Sequence, residues 1–370
     1  MSRHLFSVSK GKHVNAVYVL FIWIFQFNIL LSQEPRGLKI GVLLSGEDVE
    51  NTNIIVGATA AVAELSKNSK TQFELVFKSH RNQWGQEADD AVDALFEENA
   101  SALIAPASGI VSHLMFQVAG RTRIPSVTLC SDTSVTGATI PWCIRIAPTT
   151  LEEVAAVGNY IKTAKGGSIE TVVFAPYGRT GREIAGDIQK AATNTIFKIS
   201  GILNIESAKF PDTKEFKNLL SKKPDCVFIW LPHADAVRVI GGLHSIGFRG
   251  FIVVTSKLFT ADFLASSQEW GYEIYFSTAP LNNAFGNTGE IHQDELKDGR
   301  RSYISILTHD AVILLAEHLQ RCDLTHPHKN FPPNDVKGWT GELVFNKNGD
   351  RITKTQVWKI VDGKAIKISN

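Results

Sequence analysis

The sequence lacks the short motifs that identify nucleotide-binding and hydrolytic enzymes. Its first apolar strand continues as LLSGEDVEN, so the G-x-G-x-x-G fingerprint of dinucleotide-binding proteins is missing. Neither a Walker A sequence nor a G-x-S-x-G elbow occurs in the 370 residues. These absences argue against an enzyme, and we expect neither catalytic residues nor a cofactor.

Cysteine is scarce, and no two of the four have the C-x-x-C spacing of zinc clusters or thioredoxin-type sites. Cys130 ends one predicted strand and Cys143 starts the next, so these two are the expected pair if the chain is oxidised after export. The alternative is that they are free, since unpaired cysteine often packs as a small hydrophobic residue. The segment CDLTHPH is interpreted as a polar connecting loop, and we expect no metal site.

Charge of either sign is not in excess, because 38 Lys and Arg balance 37 Asp and Glu to a net charge of +1. No block of basic residues supplies a local positive field, so the sequence does not indicate a nucleic-acid partner. A hydrophobic content of 44% is typical of a globular protein, and the length allows two domains of ordinary size.

The N-terminal 32 residues have the pattern of a signal peptide. Arg3, Lys10 and Lys12 precede the uncharged run Val14–Leu31, and Ser32 is a small residue at a plausible cleavage point. We therefore expect residues 1–32 to direct export and the mature protein to be periplasmic or secreted. The alternative is an uncleaved membrane anchor, because the apolar run is nearly long enough to span a bilayer.

Beyond this segment, apolar strands alternate with amphipathic helices. Strands at 38–44, 73–78, 103–105 and 124–130 are separated by helical stretches, a pattern typical of βαβ units in a parallel sheet. After residues 143–150 the alternation starts again. The sequence thus predicts an α/β fold with two successive parallel-sheet units, followed by an apolar helix at 302–322 and antiparallel strands at the end.

The segment LIAPASGIVSHL, Leu103–Leu114, carries the strongest local indication of a binding site. A strand is followed by the small-residue turn Pro106–Gly109 and then by a helix, so backbone N–H groups at the positive end of the helix dipole are unpaired. Ser108 adds a hydroxyl there, and Gly109 allows close approach to the backbone. The arrangement predicts a seat for a carboxylate or phosphate, although an ordinary capped helix has the same pattern.

Several stretches together resemble the type I periplasmic solute-binding proteins, specifically the branched-chain amino-acid-binding group of ABC importers. They follow one another, in the order and spacing of that family, over residues 38–360 or so. The stretches are LKIGVLLSG, VGATAAVAEL, QEADDAVDALFEENASALIAPASGIVSHLMFQVAGRTRIPSVTLCSDTS, CIRIAPTTLEEVAAVGNYI, VVFAPYGRTGREIAGDIQKA, FKNLLSKKPDCVFIW, HSIGFRGFIVVTS and GWTGELVFNKNGDR.

The resemblance implies two Rossmann-like parallel-sheet lobes that are joined by three hinge crossings and close around a ligand. It assigns residues 36–147 and 279–329 to the first lobe, and 150–277 and 338–370 to the second. The crossings are expected near Ala147–Thr149, Ser277–Pro280 and His328–Gly338.

The resemblance also implies which residues hold the ligand. In amino-acid-binding members the turn that matches PASG holds the ligand carboxylate through a serine hydroxyl and helix N-terminal amides. The ligand-binding residues implied are, in the first lobe, Ser108, Gly109, Ser131, Asp132 and Thr133, and in the second lobe Tyr177, Thr180, His233, Ser256 and Lys257.

The second-lobe end of this site departs from the family. Amino-acid binders place an acid at the last strand exit to hold the ammonium group, and here Ser256 and Lys257 stand there. Either Asp132 takes that role from the first lobe, or the ligand is not an α-amino acid, and Lys257 could favour a second anionic group. Thr180 is small where the family commonly has an aromatic residue. Glu50 could stand at the entrance, but a solvated loop acid is the favoured interpretation.

The function that this resemblance implies is that of an extracytoplasmic solute-binding protein of an ABC import system. We expect it to act as a monomer that binds an amino acid or related small carboxylate between its lobes and delivers it to an ABC permease. The alternative is a ligand-sensing or regulatory envelope protein that uses the same fold without transport.

Overall fold

A computed structural model describes residues 37–45, 48–69, 71–79, 86–206, 213–286, 288–299 and 301–368. The predicted signal peptide, residues 1–32, lies outside this part of the chain. Among the described residues, no helix combines the length and apolar character needed to span a bilayer.

The first sheet has five parallel strands in the order β2-β1-β3-β4-β5. Its strands are β1 Leu38–Leu44, β2 Phe73–Ser79, β3 Ala102–Ala105, β4 Ser126–Thr128 and β5 Cys143–Arg145. The helices α1 Asp48–Asn68, α2 Gln86–Phe96 and α3 Gly109–Thr122 connect them. All four residues of β3 are buried, as is expected of a central strand that is covered on both faces.

The second sheet has eight strands in the order β11-β15-β14-β10-β9-β8-β6-β7. Five of them run parallel, namely β6 Ile169–Pro176, β7 Phe197–Ile205, β8 Cys226–Ile229, β9 Phe251–Val254 and β10 Ile274–Thr278. The strands β11 Glu290–His292, β14 Gln356–Val361 and β15 Lys364–Lys367 extend the sheet in antiparallel fashion. The short strands β12 Lys337–Gly338 and β13 Gly341–Glu342 form a separate two-stranded sheet. The helices of this part are α4 Thr150–Lys165, α5 Arg179–Thr193, α6 Thr213–Leu220, α7 His233–Ser245, α8 Ala261–Ser267 and α9 Asn282–Phe285.

Helix α10, Tyr303–Arg321, comes late in the chain but packs on α1 and on β1 and β3 of the first sheet. The two helices approach very closely at Gly57, where an added Cβ would lie 2.2 Å from the carbonyl oxygen of Ser305. Glycine is therefore required at this crossing. We refer to the first sheet with its helices, α10 included, as the first lobe, and to the second sheet with its helices as the second lobe.

Two of the crossings lie further along the chain than the resemblance implies. The segment 279–292 stays with the second lobe, because Leu281 N–H donates to Gln356 at 3.2 Å and β11 pairs with β15. The chain returns to the first lobe only within 293–302, rather than at Ser277–Pro280.

The segment 338–351 lies on the first lobe, although the resemblance assigns it to the second. Asp310 of α10, which is fully buried, accepts from Trp339 N–H at 2.6 Å and from Thr340 N–H at 2.9 Å. Arg145 of β5 donates its N–H to Gly349 at 2.8 Å, and its guanidinium contacts Asp350. The last crossing therefore falls within 352–355 rather than near His328–Gly338. The other boundaries of the two lobes that the resemblance implies remain predictions.

The expected bond between Cys130 and Cys143 is not formed, and both are free thiols. The register of the sheet gives the reason. Cys143 at the start of β5 lies opposite Ser126, whereas Cys130 lies four residues beyond Ser126, past the end of β4. Four residues of extended chain separate the two by about 13 Å, beyond the reach of a disulfide. Both thiols are buried, and burial raises the pKa of Cys143.

Candidate ligand-binding site

A cavity of about 160 Å³ lies between the two lobes. Its walls come from the segments that follow β3 and β4 in the first lobe and β6, β8 and β9 in the second, together with the first turn of α1. The carboxyl ends of parallel strands are where open α/β sheets bind ligands. For scale, an engineered cavity of about 150 Å³ accepts benzene, so this cavity suits a small solute.

Six of the ten residues predicted for the site line this cavity. They are Gly109, Ser131, Asp132, Thr180, His233 and Lys257. The segments that carry them come from five separate strand exits, which the fold brings to one place. Their role in binding a ligand remains a prediction.

The other four predicted residues do not line the cavity. The Ser108 hydroxyl caps helix α3 by accepting from Val111 N–H at 3.5 Å. Thr133 donates its hydroxyl to Asp187 of α5 at 2.6 Å, and Ser256 donates its hydroxyl to Glu153 of α4 at 2.5 Å. Tyr177 is 69% exposed, because β6 ends at Pro176 and the chain turns away through Gly178, whose φ is +90°.

Glu50 is part of the site and is not a solvated loop acid. Helix α1 begins at Asp48, so Glu50 stands in its first turn, with only 9% of its surface exposed. Its carboxylate accepts from the backbone N–H of Ala107 at 2.9 Å. The sequence predicts an anion-binding site at this turn. One backbone amide of the turn is thus already hydrogen-bonded to a carboxylate of the protein itself.

Asp132 stands at the other end of the same turn. A Cβ added at Gly109 would lie 2.4 Å from Asp132 Oδ2, which shows how closely this carboxylate approaches the start of α3. Oδ1 accepts from the N–H and the hydroxyl of Ser134, both at 2.8 Å. Oδ2 is buried and has no hydrogen-bond partner among the described residues, and His113 Nε2 is 3.9 Å away.

Lys257 connects the two lobes across the cavity. Its Nζ donates to the backbone carbonyl of Ala107, so this one peptide segment is held by Glu50 at its N–H and by Lys257 at its oxygen. Thr133 and Asp187 form a second contact between the lobes. The lobes therefore already touch on two sides of the cavity.

Glu153, in the first turn of α4, is a buried acid that the sequence did not point to. Burial raises its pKa to about 8, and the Ser256 hydroxyl and the nearby charge of Lys257 act in the opposite direction. Its Oε2 has no hydrogen-bond partner among the described residues. The available signal was its position beside the buried Val154 and one helical turn before Val157, on the face of α4 that packs on the sheet.

The second-lobe wall contributes a buried donor and a half-buried histidine. Trp230 follows β8 and is 4% exposed, and its Nε1–H has no partner in the described part of the chain. His233 begins α7, and burial lowers its pKa, which favours the neutral ring, while the nearby charge of Asp262 acts in the opposite direction. No group of three or more His, Cys, Asp or Glu arranged to hold a metal ion occurs among the described residues.

Several solved structures of leucine-binding and other substrate-binding proteins share this fold. A leucine-binding protein, LivK, from Thermotoga maritima superposes with a TM-score of 0.75 at 18% identity, over 90% of this chain and 98% of that one. The LivJ substrate-binding protein from Streptococcus pneumoniae, in complex with isoleucine, gives a TM-score of 0.74 at 16% identity, over 90% and 100%. A Rhodopseudomonas palustris solute-binding protein in complex with benzoate gives 0.73 at 17% identity, over 90% and 96%.

These likenesses establish the fold, and the predicted α/β architecture with parallel-sheet lobes is confirmed by them. No curated protein matches the chain. The sequence profile of one family, described as periplasmic binding protein, matches residues 39–329, which is most of the chain. The chain therefore belongs to the periplasmic binding protein family, as the resemblance of its sequence implied.

Proposed function

We propose that the protein is an extracytoplasmic solute-binding protein of an ABC import system, which encloses a small polar solute between its two lobes. The observation that carries the proposal is the cavity at the carboxyl ends of the strands, walled by both lobes. A ligand that contacts both walls stabilises the closed arrangement, and a permease can then recognise that arrangement. Amino acids and related small carboxylates are the first ligand class to test, and no covalent chemistry is involved.

Binding is tested by isothermal titration calorimetry and thermal unfolding with the common amino acids, their amides and small carboxylates. A ligand at 100 times its Kd stabilises the folded state by about 2.7 kcal/mol, which raises the melting temperature measurably. Thr180→Trp places an indole in the cavity wall and should abolish the response. Tyr177→Phe, at an exposed position outside the cavity, is the matched control.

The proposal fails if no compound of this panel raises the melting temperature, or if Thr180→Trp binds as the natural protein does. Export is tested separately by mass spectrometry of the protein recovered from its natural cell envelope. A mature N-terminus close to residue 33 supports the proposed localisation, whereas a protein that remains in the cytoplasm contradicts it.

A further inference from the structure

The first-lobe wall of the cavity already holds two carboxylates where an anionic ligand would be seated. Glu50 accepts from the N–H of Ala107, and Asp132 Oδ2 lies against Gly109, the first residue of α3. The positive end of a helix dipole and its unpaired N–H groups attract one negative charge. Here that attraction acts on side chains of the protein, so a ligand carboxylate at this turn would meet two like charges.

The lysine and arginine side chains near these two acids are directed to other groups. Lys257 is the one lysine or arginine among the described residues of the cavity wall, and its Nζ is directed to the carbonyl of Ala107. Near Asp132, the His113 imidazole lies 3.9 Å from Oδ2, whereas the Arg145 guanidinium contacts the backbone carbonyl of Asp132 and pairs with Asp350. Arg179 pairs with Glu183, which raises the pKa of the arginine, and Asp132 adds to that rise. No ion pair of Glu50 occurs among the described residues. No lysine or arginine among the described residues pairs with the carboxylate of Glu50 or Asp132, so both carboxylates are available to a cationic group of a ligand.

The acids of the second-lobe wall differ from Glu50 and Asp132, because each of them pairs with a basic side chain on its own helix. Glu183 pairs with Arg179 at 2.7 Å, and Asp187 pairs with Lys190 at 3.7 Å. The same wall carries Trp230, whose buried Nε1–H lacks a partner among the described residues. A buried donor of this kind calls for an acceptor, which a ligand can supply. The first-lobe wall therefore suits a cationic group of the ligand, and the second-lobe wall suits a hydrogen-bond acceptor.

Resting on the proposed function, we infer that the ligand presents a cationic nitrogen, such as an ammonium group, to Glu50 and Asp132, and an acceptor group to the wall that carries Trp230 and Lys257. The ligand class is that of small amines that also bear a hydrogen-bond acceptor, amino acids included. A bound amino acid would then lie with its ammonium group, rather than its carboxylate, on the first lobe, which is the reverse of the orientation that the resemblance implies.

The charge requirement is tested on the natural protein with matched compounds at pH 7. Calorimetric titrations use leucine, isoamylamine, which lacks its carboxylate, and 4-methylpentanoate, which lacks its ammonium group, together with the other common amino acids, butylamine, butyrate and benzoate. We expect binding only among compounds that carry an amine. Binding of 4-methylpentanoate, butyrate or benzoate overturns the inference and leaves the proposed function intact. Binding of no compound overturns both.

The orientation is tested by the sign of a mutational effect on the compound that binds most tightly. Glu50→Gln keeps an oxygen to accept from Ala107 N–H, and Asp132→Asn keeps one to accept from Ser134, so each removes charge while preserving the local contacts. We expect each to weaken binding at least tenfold. Asp89→Asn, which removes an exposed carboxylate of α2, should leave the affinity unchanged.

A ligand whose carboxylate sits at this turn gives the opposite result, because removing a like charge would strengthen its binding. Unchanged or stronger binding in both variants therefore overturns the inference. The melting temperature of each variant without ligand, compared with that of Asp89→Asn, shows whether a loss of binding is local or follows from unfolding. If one variant fails to fold, the other and the compound series on the natural protein decide.

Discussion

Replacing Glu153 by glutamine should remove a large part of the pH dependence of this protein's stability. Burial raises the pKa of Glu153 from its usual value of 4.5 to about 8 in the folded protein. In the unfolded chain the carboxyl group is solvated and its pKa is ordinary. Between these two values the folded protein holds a proton that the unfolded chain has released, so raising the pH disfavours folding.

The magnitude follows from the width of that interval. Each pH unit within it changes the free energy of unfolding by about 1.4 kcal/mol, so the natural protein loses about 3 kcal/mol between pH 5 and pH 7 from this group. Above pH 8 the effect levels off. Glutamine is uncharged and can still accept from the Ser256 hydroxyl, so Glu153→Gln lacks this loss and becomes more stable relative to the natural protein as the pH rises.

Urea unfolding followed by circular dichroism at pH 5, 6, 7 and 8 measures the effect. The difference in unfolding free energy between Glu153→Gln and the natural protein should grow by about 1.4 kcal/mol per pH unit up to pH 8. Asp89→Asn, at an exposed position, is the control and should run parallel to the natural protein. A difference that stays constant across the four pH values refutes the reasoning, because Glu153 would then titrate alike in both states.

Two further predictions concern packing and cysteine chemistry. Gly181→Ala should destabilise the protein by about 2 kcal/mol, because an added Cβ would lie 1.6 Å from the carbonyl oxygen of Pro176. Gly186→Ala in the same helix meets nothing within 4 Å and should instead be neutral or stabilising by up to about 1 kcal/mol, and equal melting temperatures for the two variants would contradict this account. Thiol titration of the non-reduced protein in guanidinium chloride should count four titratable thiols, and a count of two would show that a disulfide forms.

The alternation of strands and helices was predictable because each parallel strand is a short apolar run bounded by turn residues. The turn after β3 was predictable for the same reason, since Pro106–Gly109 cannot continue a strand. Cavity residues at the strand exits followed from the topology, because the carboxyl ends of parallel strands meet at one edge.

The errors arose where a position depends on the exact start of an element or on a distant partner. Glu50 was interpreted as a loop residue, but helix α1 begins at Asp48, so Glu50 belongs to its first turn and is buried there. Nothing in the sequence indicates that Glu50 is buried, because its hydrogen-bond partner, the backbone amide of Ala107, is more than fifty residues away along the chain. Glu153 was missed because an acid in a helical pattern, here one of the adjacent pair Glu152 and Glu153, is normally assigned to the polar face. The predicted disulfide between Cys130 and Cys143 was wrong because the spacing of two cysteines along the chain does not determine the register of the strands that carry them.

The order of segments along the chain has a consequence for how the protein is made. The first lobe needs α10 and residues 339–350, and the second needs β14 and β15, which lie at 356–367. Neither core is complete until nearly the whole chain has left the ribosome, and the contacts that close each core join residues far apart in sequence, which slows folding. Under the proposed function, this delay favours passage of an incompletely folded chain through a membrane before it folds on the other side.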